Sequence, residues 1–162
     1  MTEPSPPPGV TVATVLRDLA DSRALDVELL AGADGLGRHI TIPHTQKTGL
    51  ALSGFDAYLR GGRVLVFGES EVRYLEALEA GARTVVLRRV LSHDLPCLLI
   101  TDGFAPPPEL PVEADRARVP LLRTRAATPE AMARMSAVLD TYLAARGIIH
   151  GVLMDILGLG VL

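Results

Sequence analysis

The chain has 162 residues, 48% hydrophobic and 22% charged, which suits one ordinary domain with a real core and excludes a disordered chain. A formal net charge of −3 at pH 7 argues against a general nucleic-acid or membrane-surface binder, and three Phe, three Tyr and no Trp leave little to stack on single-stranded bases. One cysteine, Cys97, allows no internal disulfide; with no signal-peptide pattern and no bilayer-length apolar run, a cytoplasmic protein is expected.

Residues 1–10 are Pro-rich and read as a disordered lead-in. Thr11 is placed to cap a helix whose Val12, Val15, Leu16 and Leu19 share one face. Val27–Leu30 reads as a strand. The glycines at 32, 35 and 37 read as a tight turn between strands rather than a phosphate cradle, because no helix follows them. Ile40–Ile42 alternates as a strand and stops at Pro43. Lys47–Phe55 reads as an ordered loop with one helical turn; plain packing of its leucines competes there with a binding loop.

Val64–Phe67 is a continuous apolar run of the kind buried on both faces of a sheet. Ser70 is placed to cap a helix carrying Val72, Leu75 and Leu78 and ending near Gly81. Residues 83–92 fit strand or helix, and helix is favoured because the next strand, Pro96–Ile100, follows so soon. In that strand Cys97 reads as a small buried thiol. Thr101-Asp102-Gly103 closes the strand at the edge where α/β sheets place ligands. A short polar helix over Glu109–Arg118 and a strand over Val119–Leu122 follow. Thr128 is placed to cap the longest helix, with Met132, Met135, Leu139 and Tyr142 on its buried face, Val138 and Leu143 widening it, and Arg146-Gly147 stopping it. Strands alternating with helices give an α/β class: a mainly parallel sheet with helices on both faces.

The chemistry-bearing residues are sparse. Lys47 is the chain's single lysine; Thr48 follows it, but His44-Thr45-Gln46 precede it, so it sits in no Walker A loop. The four histidines form no metal-ligand spacing, and no metal site is expected. His150 and Asp155 stand in the apolar run Ile148–Leu162, where each needs a partner. In an unbroken strand they point to opposite faces and do not form one pair. His150 is either a satisfied core histidine or a site residue.

The run His150-Gly151-Val152-Leu153-Met154-Asp155-Ile156-Leu157-Gly158-Leu159-Gly160-Val161-Leu162 closely resembles the H-G-V-L-V-D-x-x-G-x-G-V-L run of HPr kinase/phosphorylase, which there leads into a Walker A loop. Glu28-Leu29-Leu30-Ala31-Gly32 with Gly35-Leu36, Thr48–Phe55, Asp94–Thr101 and Val119–Arg123 resemble further motifs of that family in order and spacing. The family usually has Arg-Pro where this chain has Lys47-Thr48.

The resemblance implies a domain similar to the N-terminal domain of Mur ligases. It covers residues 11–147 as a regulatory or assembly domain, with 148–162 the start of a P-loop kinase domain that the sequence does not continue. It implies a parent enzyme that phosphorylates and dephosphorylates a serine of HPr, the phosphocarrier of the sugar phosphotransferase system, in the control of carbon metabolism. ATP or pyrophosphate and magnesium are expected for that parent, as is a hexamer. His150 takes the family's active-site histidine position, and Lys47, Thr48 and Gly49 are candidate binding residues. The chain alone is expected to be inactive and to hold no cofactor itself. The alternative is a stand-alone sensor module binding a nucleotide or nucleotide-sugar.

Overall fold

The computed structural model describes residues 9–144, 154–156 and 159–161. Strand β1 (Val10–Thr11) runs directly into α1 (Val12–Ser22), and Val10, the last residue of the expected lead-in, pairs with Ile40. The Thr11 hydroxyl accepts the Thr14 N–H at 3.2 Å, which is the predicted cap. Strand β2 (Glu28–Ala31), a 3-10 turn over Ala33–Gly35, β3 (His39–Ile40), β4 (Gln46–Lys47) and the one-turn α2 (Gly49–Leu52) follow. Then come β5 (Leu65–Phe67), α3 (Glu69–Ala77), α4 (Ala80–Leu91), β6 (Leu98–Ile100), α5 (Glu109–Ala117), β7 (Leu121–Arg123) and α6 (Thr128–Leu143).

One sheet has the order β2-β7-β6-β5-β4. Strands β4 to β7 are parallel and adjacent in chain order, and β2 is an antiparallel edge. A sheet that advances in one direction through right-handed crossovers keeps all its crossover helices on one face. Accordingly α2, α3, α4 and α5 pack Leu52, Val72, Leu75, Leu87 and Leu110 onto Leu65, Phe67, Leu98, Ile100 and Leu121. The opposite face is covered by the helices outside the crossovers. There α1 and α6 set Val15, Leu19, Met135 and Leu139 against Val64, Cys97, Leu99 and Leu122. Strand residues alternate between the two cores as the period of two requires. Helices do cover both faces, as expected. Burial alone pushes the Cys97 thiol up to about 12, so it is inert packing.

Several expected boundaries move. Strand β4 was not expected, since two edge residues carry no periodicity. Helix α3 starts one residue after Gly68, so Ser70 is inside the helix and its hydroxyl donates to Glu71 instead of capping. It ends at Ala77, and Gly81 lies in the first turn of α4. Ala127 takes the position before helix α6 with no side-chain cap, and Thr128, inside the helix, donates to Asp102 instead. Its buried stripe is Ala131, Met135, Leu139 and Leu143, a strict i+4 row. Met132 moves to its flank, and Tyr142 is 41% exposed with its hydroxyl donating to Asp18 of α1. Arg146 and Gly147 lie outside the described residues. Strands β8 (Met154–Ile156) and β9 (Leu159–Val161) pair antiparallel, so the run 148–162 is not one unbroken strand. His150 also lies outside the described residues.

Arg38 holds the amino edge of the sheet. It donates to the carbonyls of Leu95 (3.0 Å), Ala117 (3.0 Å) and Arg118 (2.7 Å), which include the last carbonyls of α5. Arg38→Ala is expected to cost about 1–2 kcal/mol in urea unfolding, because three carbonyls, two of them part-buried, lose a charged donor. Arg38→Lys should recover only part of it, since an ammonium's three donors sit on one nitrogen and cannot span the acceptors that Arg38 reaches from Nε, Nη1 and Nη2.

Candidate functional site

Two clefts stand at opposite edges of the sheet. The larger, about 610 Å³, is at the amino edge and is lined by Arg38, Arg88, His93, Asp94, Glu113 and Arg116 among others. Its cations are already committed to the fold. Arg88 and Arg116 donate to buried Glu113 at 2.9 and 3.3 Å, and both stand in the last turns of their helices, where a cation offsets the dipole. The Arg88 hydrogen bond holds the Glu113 carboxyl below the usual carboxylate range.

The second cleft, about 570 Å³, opens at the carboxyl edge between β4, β5 and β6. It is lined by Lys47, Glu69, Ser70, Arg73, Asp102, Phe104, Thr128 and Pro129. The topology explains the convergence. Parallel strands bring their carboxyl ends into a row, and the helices that leave β5 and β7 start on opposite faces. Helices α3 and α6 therefore begin on either side of one crevice, which is where open α/β sheets bind ligands. A Cβ on Gly68, at the start of α3, would lie 2.8 Å from the Thr128 hydroxyl of α6, so a larger residue there would have to displace the Thr128 side chain.

The floor of the cleft is a buried carboxylate. Glu71 is 2% exposed, and its Oε2 accepts the Gly68 N–H and the Ser70 hydroxyl, each at 2.9 Å. It is the N3 residue of α3, so this is the backward half of a capping box. Lys47 Nζ stands 3.9 Å from Oε1 and makes no hydrogen bond among the described residues, which leaves its donors turned to the cleft. Across the cleft, Asp102 Oδ2 accepts from Thr128 at 2.9 Å and Thr101 at 3.0 Å, and the two hydroxyls are 2.6 Å apart. Asp102 has φ 56°, the left-handed region that few residues besides glycine adopt, and its N–H donates to Ala126 at 2.9 Å. The Arg73 guanidinium lies 5.5 Å from the Phe104 ring centroid and donates to Glu76 at 2.9 Å.

Of the three binding candidates from the sequence, Lys47 alone lines the cleft. Thr48 is fully buried, and its hydroxyl donates to the Val66 carbonyl at 3.3 Å, which ties α2 to β5. Gly49 faces Glu71, whose Oε1 would stand 3.3 Å from an added Cβ. Sequence reasoning missed Glu71, Arg73, Phe104 and the role of Thr128. The position of Glu71 three residues after Gly68, at a strand-to-helix turn, was the available signal. Among the described residues no group of three or more His, Cys, Asp or Glu is arranged to hold a metal ion, and no helix is long and apolar enough to cross a membrane.

Comparison with known proteins matches residues 10–139 to the family described as HPr Serine kinase N terminus. The chain is 35% identical over 154 residues to an HPr kinase/phosphorylase of Geobacter sulfurreducens, covering 94% of this chain and 48% of that one. It is 34% identical over 145 residues to an HPr kinase/phosphorylase of Treponema pallidum, covering 90% and 46%. The chain thus spans about half the length of the curated relatives it matches. Among solved structures, it resembles the CBS and DRTGG domains of the regulatory region of Clostridium perfringens pyrophosphatase, determined with the activator diadenosine tetraphosphate. There the TM-score is 0.52 at 14% identity, over 81% of this chain and 50% of that one, a likeness of fold alone. The motifs read from the sequence, the α/β fold and the match over residues 10–139 agree, and the chain belongs to the family of the HPr serine kinase N terminus.

Proposed function

We propose that this chain is the regulatory and assembly domain of a bifunctional HPr serine kinase/phosphorylase that controls carbon metabolism through the sugar phosphotransferase system. The observation that carries this reading is the match of residues 10–139 to the kinase N terminus, with relatives named HPr kinase/phosphorylase at 34–35% identity. On this reading the phosphoryl chemistry, with ATP or pyrophosphate and magnesium, belongs to a P-loop half that residues 148–162 lead into. HPr is the protein substrate, the full enzyme is a cytoplasmic hexamer, and His150 joins its active site. Phosphoryl transfer works by positioning and charge neutralisation of the phosphates, which a histidine alone does not provide. The chain mixed with ATP, magnesium and HPr is therefore expected to yield no phosphoserine by mass spectrometry; phosphoserine in that mixture would overturn the division of labour.

The carboxyl-edge cleft favours a second reading, a sensor module for a nucleotide or nucleotide-sugar. Its volume of about 570 Å³ is in the range of small-molecule sites. Lys47 and the starts of α3 and α6 suit phosphate, while Asp102 and Glu69 suit hydroxyl donors. A thermal-shift panel of nucleotides and nucleotide-sugars tests it. At a hundredfold excess over Kd, a true ligand is expected to raise Tm by roughly 5–10 °C, and Lys47→Ala to abolish the rise. A panel without any shift removes this reading and leaves the first intact. Reading the coding sequence past Leu162 separates the two: a glycine-rich loop with Lys-Ser supports the kinase domain, and a stop codon the sensor.

A further inference from the structure

Phe55 is 61% exposed, and its ring stacks on that of Tyr58 with centroids 5.7 Å apart and planes 25° from parallel. The pair is fixed in place by its neighbours. Asp56 Oδ2 lies 2.9 Å from His93 Nε2, the Gln46 side-chain amide donates to the Tyr58 carbonyl at 3.5 Å, and the Tyr58 hydroxyl accepts the Ala51 N–H at 3.2 Å. That hydroxyl still has its own proton to give. Stacked aromatic rings beside a hydroxyl donor make the kind of surface on which a polyproline helix docks. The rings take the flat proline faces, and the donor takes a carbonyl that the helix leaves unbonded.

The chain carries such a segment in residues 1–8, MTEPSPPP. The described residues begin at Gly9, whose place brings the segment within reach of the rings. Val10 pairs with Ile40, and a Cβ on Gly9 would lie 2.9 Å from Thr41 Cγ2. Prolines have no N–H with which to extend the β1–β3 ladder past this point. The Thr41 N–H donates to the Gly62 carbonyl at 3.0 Å, and a groove of about 470 Å³, lined by His39, Thr41, Gly61 and Gly62 among others, opens there. From Gly62 back to Tyr58 is four residues, at most about 14 Å. Eight residues at about 3.1 Å each span about 25 Å, enough to cross the groove and cover both rings. Charge agrees with this path. Glu3 is the acidic side chain of the segment, and Arg60, two residues after Tyr58, is exposed and forms no ion pair among the described residues.

We propose that the Phe55–Tyr58 pair is a polyproline-binding site whose occupant is the chain's own residues 1–8, with Tyr58 donating to a carbonyl of the segment and Arg60 facing Glu3. The covalent link through Gly9 makes the docking intramolecular, at an effective concentration of roughly millimolar, so contacts too weak to hold a free peptide suffice. The docking is independent of either reading of the carboxyl-edge cleft.

A nitroxide attached at Ser5→Cys in the full chain tests it. Cys97 is buried and its thiol inert, so the label goes to residue 5. In NMR spectra the nitroxide is expected to broaden the amides of residues 53–60. Phe55→Ala removes an exposed ring, and it should cut that broadening by about half or more. Pro6→Gly with Pro7→Gly alters the segment alone and should do the same, which keeps the test open if the Phe55 variant fails to fold. Glu3→Arg should weaken the broadening, and Arg60→Glu in the same chain should restore it. Undiminished broadening in either the Phe55 or the double glycine variant would mean that a tethered segment merely swings past the rings, and it overturns the docking, as does an absence of broadening at residues 53–60. Isotope-labelled chain without the nitroxide, mixed with unlabelled chain carrying it, is expected to show no broadening. Broadening in that mixture assigns the segment to a second copy and overturns the intramolecular site.

Discussion

Replacing Gly32 by alanine is expected to remove about 2–5 kcal/mol of folding stability, a large part of the ~5–15 kcal/mol a domain of this size has. Gly32 follows β2 with φ 73°, and an alanine in the left-handed region costs roughly 1–2 kcal/mol. The new Cβ would also overlap the carbonyl of Val119 and crowd the Pro120 Cα, which are backbone atoms entering β7. No rotamer change relieves a clash with backbone, so overpacking adds about 1–3 kcal/mol. The Gly32 N–H also donates to Asp115 at 2.6 Å, a bond that any shift of the turn would stretch. Urea unfolding should show a midpoint lower by at least about 1 M with an unchanged slope. Gly37→Ala is the control, because an added Cβ there meets nothing within 4 Å; it should stay within about 0.5 kcal/mol. Equal loss in both variants would mean that the cost does not come from close approach at residue 32, because the lower unfolded-chain entropy of alanine by itself favours folding.

These glycines show what the sequence could and could not express. Three glycines in six residues were legible as a turn. Which of them meet the α5–β7 connection was not, because that contact spans more than eighty residues. The two faces of the core were legible for a local reason. Val64–Phe67 and Pro96–Ile100 are continuous apolar runs, and only a sheet covered on both sides buries such runs. Strands β1 and β4 are two residues each, too short for any period, and they exist because a neighbour offers a ladder, whereas the alternation read at Ile40–Ile42 marks β3, which the structure sets at His39–Ile40. The face of α6 was misjudged by one position: Met132 and Tyr142 are apolar enough to read as core, and only the packing against α1 selects the 131/135/139/143 row. At the site, Lys47 was legible as the single lysine, in the loop Lys47-Thr48-Gly49. Asp102 was legible as a strand end at the ligand edge, but Glu71 and Thr128 were not, since each has an ordinary local reading as a helix-surface acid or a cap. Parallel strand order, a tertiary property, is what brings residues 47, 71, 102 and 128 to one edge.

Glu71 is the residue whose loss should do most damage at that edge. Glu71→Ala is expected to cost about 2–4 kcal/mol, and magnitudes decide why. The Lys47 pair is the smaller part. At 3.9 Å, with Lys47 48% exposed, it is a half-solvated ion pair of about 1 kcal/mol or less. The larger part is the buried Gly68 N–H, which loses its acceptor inside the protein, together with the cavity the side chain leaves; the exposed Ser70 hydroxyl can turn to water. Lys47→Ala should therefore stay within about 1 kcal/mol of wild type in urea unfolding. Glu71→Gln separates the contributions further. Its amide oxygen can still accept from Gly68, while the charge facing Lys47 is gone, so a loss of about 1 kcal/mol is expected. The ordering Ala worse than Gln, and Gln close to Lys47→Ala, identifies Glu71 as the strut that fixes the start of α3 under the cleft. An alanine variant as stable as wild type would mean that the edge is held by packing alone. Lys47 would then have no fixed base from which to meet a ligand.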